Sequence, residues 1–188
     1  MIPANQIPNI LTLLRIVLII PFATSLYAED YVLAMIIFFV AGLSDGVDGF
    51  LARQFNWKSR FGAIADPLAD KLLLMTAYIM LALTLQIPAW FAILILGRDF
   101  LIVGGALIYH YFVSHYEIKP SIFGKACTLS QIVYVLILII SLAKLPMPSE
   151  VLEYGLWVVA FITSLSGVHY FYVWGLKAFR HRQASLEK

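Results

Sequence analysis

Six apolar runs, each long enough to cross a bilayer, constrain the fold before anything else does. An α-helix rises about 1.5 Å per residue, so roughly 20 apolar residues cover a hydrocarbon core of about 30 Å. The runs lie at about Ile10–Tyr27, Tyr31–Ala52, Gly62–Leu85, Pro88–Tyr111, Gly124–Leu142 and Val151–Leu176. Charged residues make up 13% of the 188 and mean hydropathy is +0.88, whereas a soluble domain carries about 25% charged residues. The expectation is an all-α, polytopic membrane protein: one domain over residues 1–188, built as a six-transmembrane-helix bundle with a short N-terminal interfacial segment. Ile7-Pro8-Asn9 supplies the bend and N-cap that would start the first span.

Other classes recede quickly. One cysteine, Cys127, permits no intramolecular disulfide and no metal-ligand spacing, and its place in an apolar helix suits packing. The first ten residues have no basic stretch ahead of the apolar run, so no removable signal peptide is expected. The polar stretches are too short to bury a soluble core. No repeat or low-complexity segment stands out, and no nucleic-acid partner is expected.

Lysine and arginine set the orientation. Arg53, Lys58 and Arg60 follow span two, Lys119 and Lys125 follow span four, and Lys177, Arg180, Arg182 and Lys188 lie in the tail. The Glu29-Asp30 and Gln86-Ile87 turns have no basic residue, and the Leu145–Ser149 connection has only Lys144 beside it. By the positive-inside rule both termini and the Arg53–Phe61 turn face the cytoplasm. Trp90, Trp157 and Trp174 fall near span ends, as an aromatic belt requires.

Against this apolar background, residues 45–70 place four carboxylates, Asp45, Asp48, Asp66 and Asp70, between two membrane runs. On helices, Asp45 and Asp48 are i,i+3 and Asp66 and Asp70 are i,i+4, so each pair shares a face. A hairpin turning near Arg53–Phe61 would bring the pairs opposite each other. Carboxylates crowded in a poorly solvated site take up protons or hold something positive among them. Arg53 and Lys71 are the local cations able to reach inward, and two are too few. An all-oxygen set suits magnesium, manganese or calcium rather than zinc. Gly46, Gly49 and Gly62 each cost a helix about 1 kcal/mol relative to alanine, a cost that is recovered where a ligand or backbone must come close.

The order Asp45-x-x-Asp48-Gly49-x-x-Ala52-Arg53, eight residues, then Gly62-x-x-x-Asp66-x-x-x-Asp70 resembles the signature of the CDP-alcohol phosphatidyltransferases, with every fixed position present. The opening Ile7-Pro8-Asn9-x-Leu11-Thr12-x-x-Arg15 is similar to that of the phosphatidylglycerophosphate synthases and eukaryotic-type cardiolipin synthases within the family. The resemblance implies an integral membrane enzyme of phospholipid synthesis, acting as a homodimer. An alcohol attacks the β-phosphorus of CDP-diacylglycerol and CMP leaves. It further implies two divalent cations, Mg2+ or Mn2+, held by Asp45, Asp48 and Asp66 with Asp70 sharing the second. Asp70 is then the general base. Asp48, Gly49, Ala52, Arg53 and Gly62 carry over to nucleotide and pyrophosphate binding.

The acceptor pocket is less defined. Arg15, Arg98 and Lys125 are its candidate cations, each with a plainer reading beside it. Arg15 would anchor span one to an acidic neighbour, Arg98 would pair structurally near Asp99, and Lys119 and Lys125 would reach lipid headgroups. Phosphatidylglycerophosphate synthases commonly carry an Arg-Glu pair in span four and an arginine eight residues later, whereas this chain has Arg98-Asp99 and then Ala106. That difference tilts the expected acceptor toward phosphatidylglycerol, with glycerol 3-phosphate as the alternative. Two further readings compete with the enzyme. A cation transporter would place its carboxylates near the bilayer midplane and would not require Gly49, Ala52 and Gly62. A non-catalytic lipid scaffold would tolerate loss of Asp66.

Overall fold

A computed structural model describes residues 7–55, 57, 60–112, 122–145 and 147–186, with the side chains of 7–8, 48, 51–53, 60–61, 63–64, 106–112, 122–123 and 171–186 left aside. Among these the chain is all α-helix: α1 (Ile7–Tyr27), α2 (Tyr31–Gln54), α3 (Arg60–Leu83), α4 (Ala89–Phe112), α5 (Ile122–Leu142) and α6 (Ser149–Leu186). Each helix coincides with one apolar run. α6 continues past its run as a helix of 38 residues, so Lys177, Arg180 and Arg182 of the basic tail lie on helix. The expected loop around Lys119 lies outside the described residues.

Three helical stretches, Asn9–Tyr27, Gly124–Leu142 and Ser149–Tyr170, are long and apolar enough to cross a membrane. α2, α3 and α4 have 24 residues each, or about 36 Å, and α4 buries its Arg98 and Asp99. Polarity is inverted relative to a soluble protein. Thr12, Arg15, Arg98, Asp99, Gln131, Thr163 and Ser166 are buried, while Val17, Ile20, Phe39, Phe100 and Phe161 are exposed. With hydrocarbon as the solvent, apolar side chains belong outside and polar ones must find partners inside.

The helices divide into two compact units. The first holds Met1–Pro88 and Val135–Met147, and the second Ala89–Tyr134 and Pro148–Lys188. In the first, α1 packs on both α2 and α3. The contact face of α3 is a row of four-residue steps, Ala65, Ala69, Leu73, Ala77 and Leu81, all buried. Small residues on such a row, together with Ala34 and Ala41 of α2, let helix backbones approach where lipid offers no hydrophobic drive. Phe22 of α1 and Phe38 of α2 close the far end, ring centroids 5.6 Å apart.

In the second unit α4 packs on α6. Phe91 meets Tyr134 edge-on at 5.4 Å. Gly155 lets α6 approach the same tyrosine so closely that a Cβ there would lie 3.1 Å from the ring. Trp90 and Trp157 sit 5.6 Å apart. Polar satisfaction continues deeper in: Gln131 donates through Nε2 to Thr163 Oγ1 at 3.2 Å, and Cys127 Sγ lies 3.6 Å from the same hydroxyl. Cys127 is therefore a buried packing residue whose Sγ also accepts from Gln131 Nε2 at 3.5 Å.

The connections after α1, α3 and α5 close alike. Glu29, Leu85 and Lys144 take the left-handed conformation, with φ of 58°, 58° and 63°. The next amide turns back onto the helix: Asp30 N to Ser25 O, Gln86 N to Leu81 O and Leu145 N to Ile140 O. This is the Schellman closure, which satisfies carbonyls that the helix end leaves open. Asp30 then caps α2, its Oδ1 accepting from Leu33 N at 3.1 Å.

Candidate active site

The site is assembled on one face of α1. Thr12 and Arg15, three residues apart and fully buried, point the same way from an apolar helix. Arg15 Nη1 lies 2.7 Å from Asp70 Oδ1 and 3.0 Å from Asp45 Oδ1. Thr12 Oγ1 donates to Asp66 Oδ1. One helix thus gathers a carboxylate from α2 and two from α3, the latter 54 and 55 positions further along the sequence than their partners. A guanidinium with no access to water is costly unless paired, and here two acids share it.

The acids themselves remain reachable. The side chains of Asp45 and Asp70 are 46% and 49% exposed, against 0% for Arg15. The cluster is therefore closed on the α1 side and open on the other. Asp66 is half-buried. Because Asp45 Oδ1 and Asp70 Oδ1 contact the same nitrogen, they can be no further apart than the sum of the two contact distances. The sequence pattern predicted that the two halves of the motif would meet, and in this unit Asp45 of α2 does share a partner with Asp70 of α3.

Arg53 and Lys71 are the cations next to the acids in sequence, and the side chain of Arg53 lies outside the described residues; the counter-charge that the structure shows on Asp45 and Asp70 is Arg15. It comes from another helix, so local sequence distance could not reveal it. The reading of Arg15 as an anchor of span one to acidic neighbours describes its contacts. Thr12 had no assigned role. Its signal was present, since two polar residues at i,i+3 on an otherwise apolar span point to something polar opposite them.

The remaining candidates fall as follows. Gly49 is half-buried in α2, and Gly62 is buried in the first turn of α3. Gly46 has no atom within 4 Å of where a Cβ would stand, so that surface is open. The side chains of Asp48, Ala52 and Arg53 lie outside the described residues. Lys125 is exposed in the first turn of α5. Arg98 belongs to the second unit. Its Nη1 donates to Asp99 Oδ1 at 2.7 Å, its Nε and Nη2 to Ser166 Oγ at 3.2 and 2.8 Å, and its Cζ stands 5.7 Å from the Tyr170 ring centroid. Ser166 also borders a largely apolar cavity of about 420 Å³ with Ala126, Ile162, Leu165 and His169.

For a metal ion, the donor chemistry fits. The first unit offers carboxylate oxygens, the ligands that hard divalent cations take. Two of those oxygens already converge on one positive group. Among the described residues no three acidic, histidine or cysteine side chains form a finished ligand set. The fourth carboxylate of the motif, Asp48, is outside that set.

Comparison with known proteins agrees with the motif. A family model described as CDP-alcohol phosphatidyltransferase matches residues 5–166. The chain is 32% identical to a CDP-diacylglycerol--glycerol-3-phosphate 3-phosphatidyltransferase of Bacillus subtilis, covering 88% of this chain and 93% of the relative. It is 42% identical over 106 residues to a cardiolipin synthase (CMP-forming) / mitochondrial hydrolase fusion protein of Schizosaccharomyces pombe, which is 56% of this chain and 18% of that one. Over the same share of this chain it is 38% identical to the cardiolipin synthase (CMP-forming) of Rattus norvegicus, covering 35% of that protein.

Proposed function

The chain belongs to the CDP-alcohol phosphatidyltransferase family, and from that premise we propose that it moves the phosphatidyl group of CDP-diacylglycerol onto a hydroxyl of a glycerol-type acceptor, releasing CMP. The observation that carries the reading is the gathering of Asp45, Asp66 and Asp70 by Thr12 and Arg15, with the acids left open on one side. An ion-conducting path would need neither that one-sided opening nor the glycines.

In this reading Asp70 takes the proton of the acceptor hydroxyl. Its Oδ1 is held by Arg15, which fixes the carboxylate so that its second oxygen faces the incoming alcohol. The alcohol oxygen forms the new bond to the β-phosphorus, and the bond to the bridging oxygen breaks with its electron pair leaving on CMP. Gly49, Ala52, Arg53 and Gly62 form the nucleotide and pyrophosphate side, where absent side chains give the diphosphate room and the guanidinium offsets its charge. Members of this family use divalent metal ions. Asp45, Asp48 and Asp66, with Asp70 at the second position, would hold two of them, Mg2+ or Mn2+, which when bound neutralise charge on the diphosphate and on the leaving phosphate.

The placement follows from the same chain. Six spans with both termini and the basic turn after α2 in the cytoplasm put the acids at the cytoplasmic mouth, where a cytidine nucleotide is available. A homodimer is part of this proposal.

The preferred acceptor is phosphatidylglycerol. Ala106 stands where a second span-four cation would serve a phosphomonoester, and Asp99 and Ser166 engage the Arg98 guanidinium. Lys125 remains the exposed cation for the acceptor side. A second reading, glycerol 3-phosphate, draws on the Bacillus subtilis relative, whose similarity runs through nearly the whole chain. Radiolabelled CDP-diacylglycerol offered with phosphatidylglycerol, glycerol 3-phosphate, inositol phosphate or serine, with products separated by thin-layer chromatography, decides between them. A product with phosphatidylglycerol alone supports the first reading. A product with glycerol 3-phosphate alone replaces it, and none with any acceptor in the presence of Mg2+ or Mn2+ rejects both.

A further inference from the structure

We infer that Thr12 is a positioning residue for the metal site: its hydroxyl binds one oxygen of Asp66 and so presents the other to a divalent cation. The inference rests on Asp66 being a ligand, as proposed above.

Threonine within a helix ordinarily spends its hydroxyl proton on the carbonyl three or four residues back. Thr24 and Thr84 of this chain do so, bonding to Pro21 O and Met80 O. Thr12 donates to a carboxylate 54 positions away on another helix, a bond that local helix geometry does not supply. The donor is fully buried and the acceptor only half-buried. Asp66 would find hydration without Thr12, so the bond fixes the carboxylate rather than rescuing it from an apolar interior.

The neighbouring pattern gives this bond its meaning. Arg15, one turn further along α1, holds one oxygen of Asp45 and one of Asp70. Each of three motif carboxylates therefore has one oxygen taken by α1, and each keeps a second oxygen. Groups that hold a ligand from behind in this way orient it, and their loss costs roughly 10–100-fold in metal affinity. α1 is already seated on α2 and α3 by apolar contacts such as Phe22 with Phe38, so the helix does not depend on Thr12 for its attachment.

The test is a Mn2+ titration of the full-length protein in detergent, read by the electron paramagnetic resonance signal of free Mn2+, without substrate or turnover. Thr12→Val keeps the shape and removes the hydroxyl, and Thr12→Ser restores it. The expected result is Mn2+ affinity roughly 10-fold weaker in Thr12→Val and within about twofold of the parent in Thr12→Ser, with similar thermal unfolding midpoints. Should Thr12→Val not fold, Thr12→Ala takes its place against Thr12→Ser. Equal affinity in the parent and the hydroxyl-free variant, or equal loss in Thr12→Ser, overturns the role of Thr12. Asp66→Asn separates the underlying reading: if it binds Mn2+ as the parent does, or if the parent binds none, the ligand assignment itself fails.

Discussion

Arg15 sets its Nη1 2.7 Å from Asp70 Oδ1, tying the first helix to a carboxylate 55 residues further along the chain. The arginine has no exposed surface and the aspartate is half exposed, so the charge that is costly to bury is the one paired with two carboxylates. The acid keeps an open face. That asymmetry suits the base role proposed for Asp70.

Asp70→Asn should leave the protein folded and nearly stop CMP release. The amide keeps the size of the carboxylate, and its carbonyl oxygen still accepts from Arg15, but it does not take a proton from an alcohol. Positioned general bases contribute about 10²–10⁴-fold, and a loss of that order in kcat is expected. Normal turnover by a folded Asp70→Asn protein would remove Asp70 from the base role.

Arg15→Met tests the cluster as a structural unit. Removing the guanidinium leaves Asp45 and Asp70 facing each other without their shared counter-charge. Breaking a fully buried pair costs about 3–5 kcal/mol; these acids are half solvated, so about 1–3 kcal/mol is expected. Asp45→Asn made in the Arg15→Met background should cost less than in the parent, because the charge it removes no longer has its partner. Additive effects of the two substitutions in detergent unfolding would show that the contact does not couple them.

The second unit makes the opposite demand on an arginine. Ser166 accepts twice from Arg98, and both residues are buried. Ser166→Ala removes the acceptor and leaves two donors of a charged group unmet, at about 1–3 kcal/mol. If Arg98 serves chiefly to bind α4 to α6, the unfolding midpoint falls while KM for the acceptor stays within about twofold. A raised KM with an unchanged midpoint would instead place Arg98 in the acceptor pocket.

Much of this was legible in the residues. Length and apolar composition placed five helices and the start of the sixth to within a few positions, because a bilayer admits so few backbone solutions; the end of α6, Leu186 rather than Leu176, lies beyond the apolar run that marked it. The motif brought Asp45 and Asp70 toward each other because i,i+3 and i,i+4 spacings leave little choice of face. What the spacing did not reveal was the partner. Arg15 and Thr12 come from a helix whose rotation about its axis is set by packing against α2 and α3, and that packing is a tertiary fact. Ser166 was hidden for a similar reason: one of the four serines of a 38-residue helix, it carries no mark of the arginine it meets. The left-handed turns were hidden too, since Glu29, Leu85 and Lys144 are not residues that announce that conformation.

Those turns yield the last prediction. Leu85 stands at φ 58° with 88% of its surface exposed, so it has the strain of the conformation without burial to offset it. For an L-residue the left-handed region costs about 1–2 kcal/mol, because Cβ crowds the following carbonyl. Glycine escapes that crowding but brings a more flexible unfolded chain, which returns up to about 1 kcal/mol of the gain. Leu85→Gly should therefore stabilise the protein by about 0.5–1 kcal/mol, seen as a higher unfolding midpoint in detergent, with CMP release unchanged since the turn lies far along α3 from Asp66 and Asp70. Lys144→Gly, at the equivalent place after α5 with φ 63°, should move the midpoint the same way. A fall in both variants would mean that the side chains of Leu85 and Lys144 hold their turns through contacts at the membrane surface that outweigh the backbone strain.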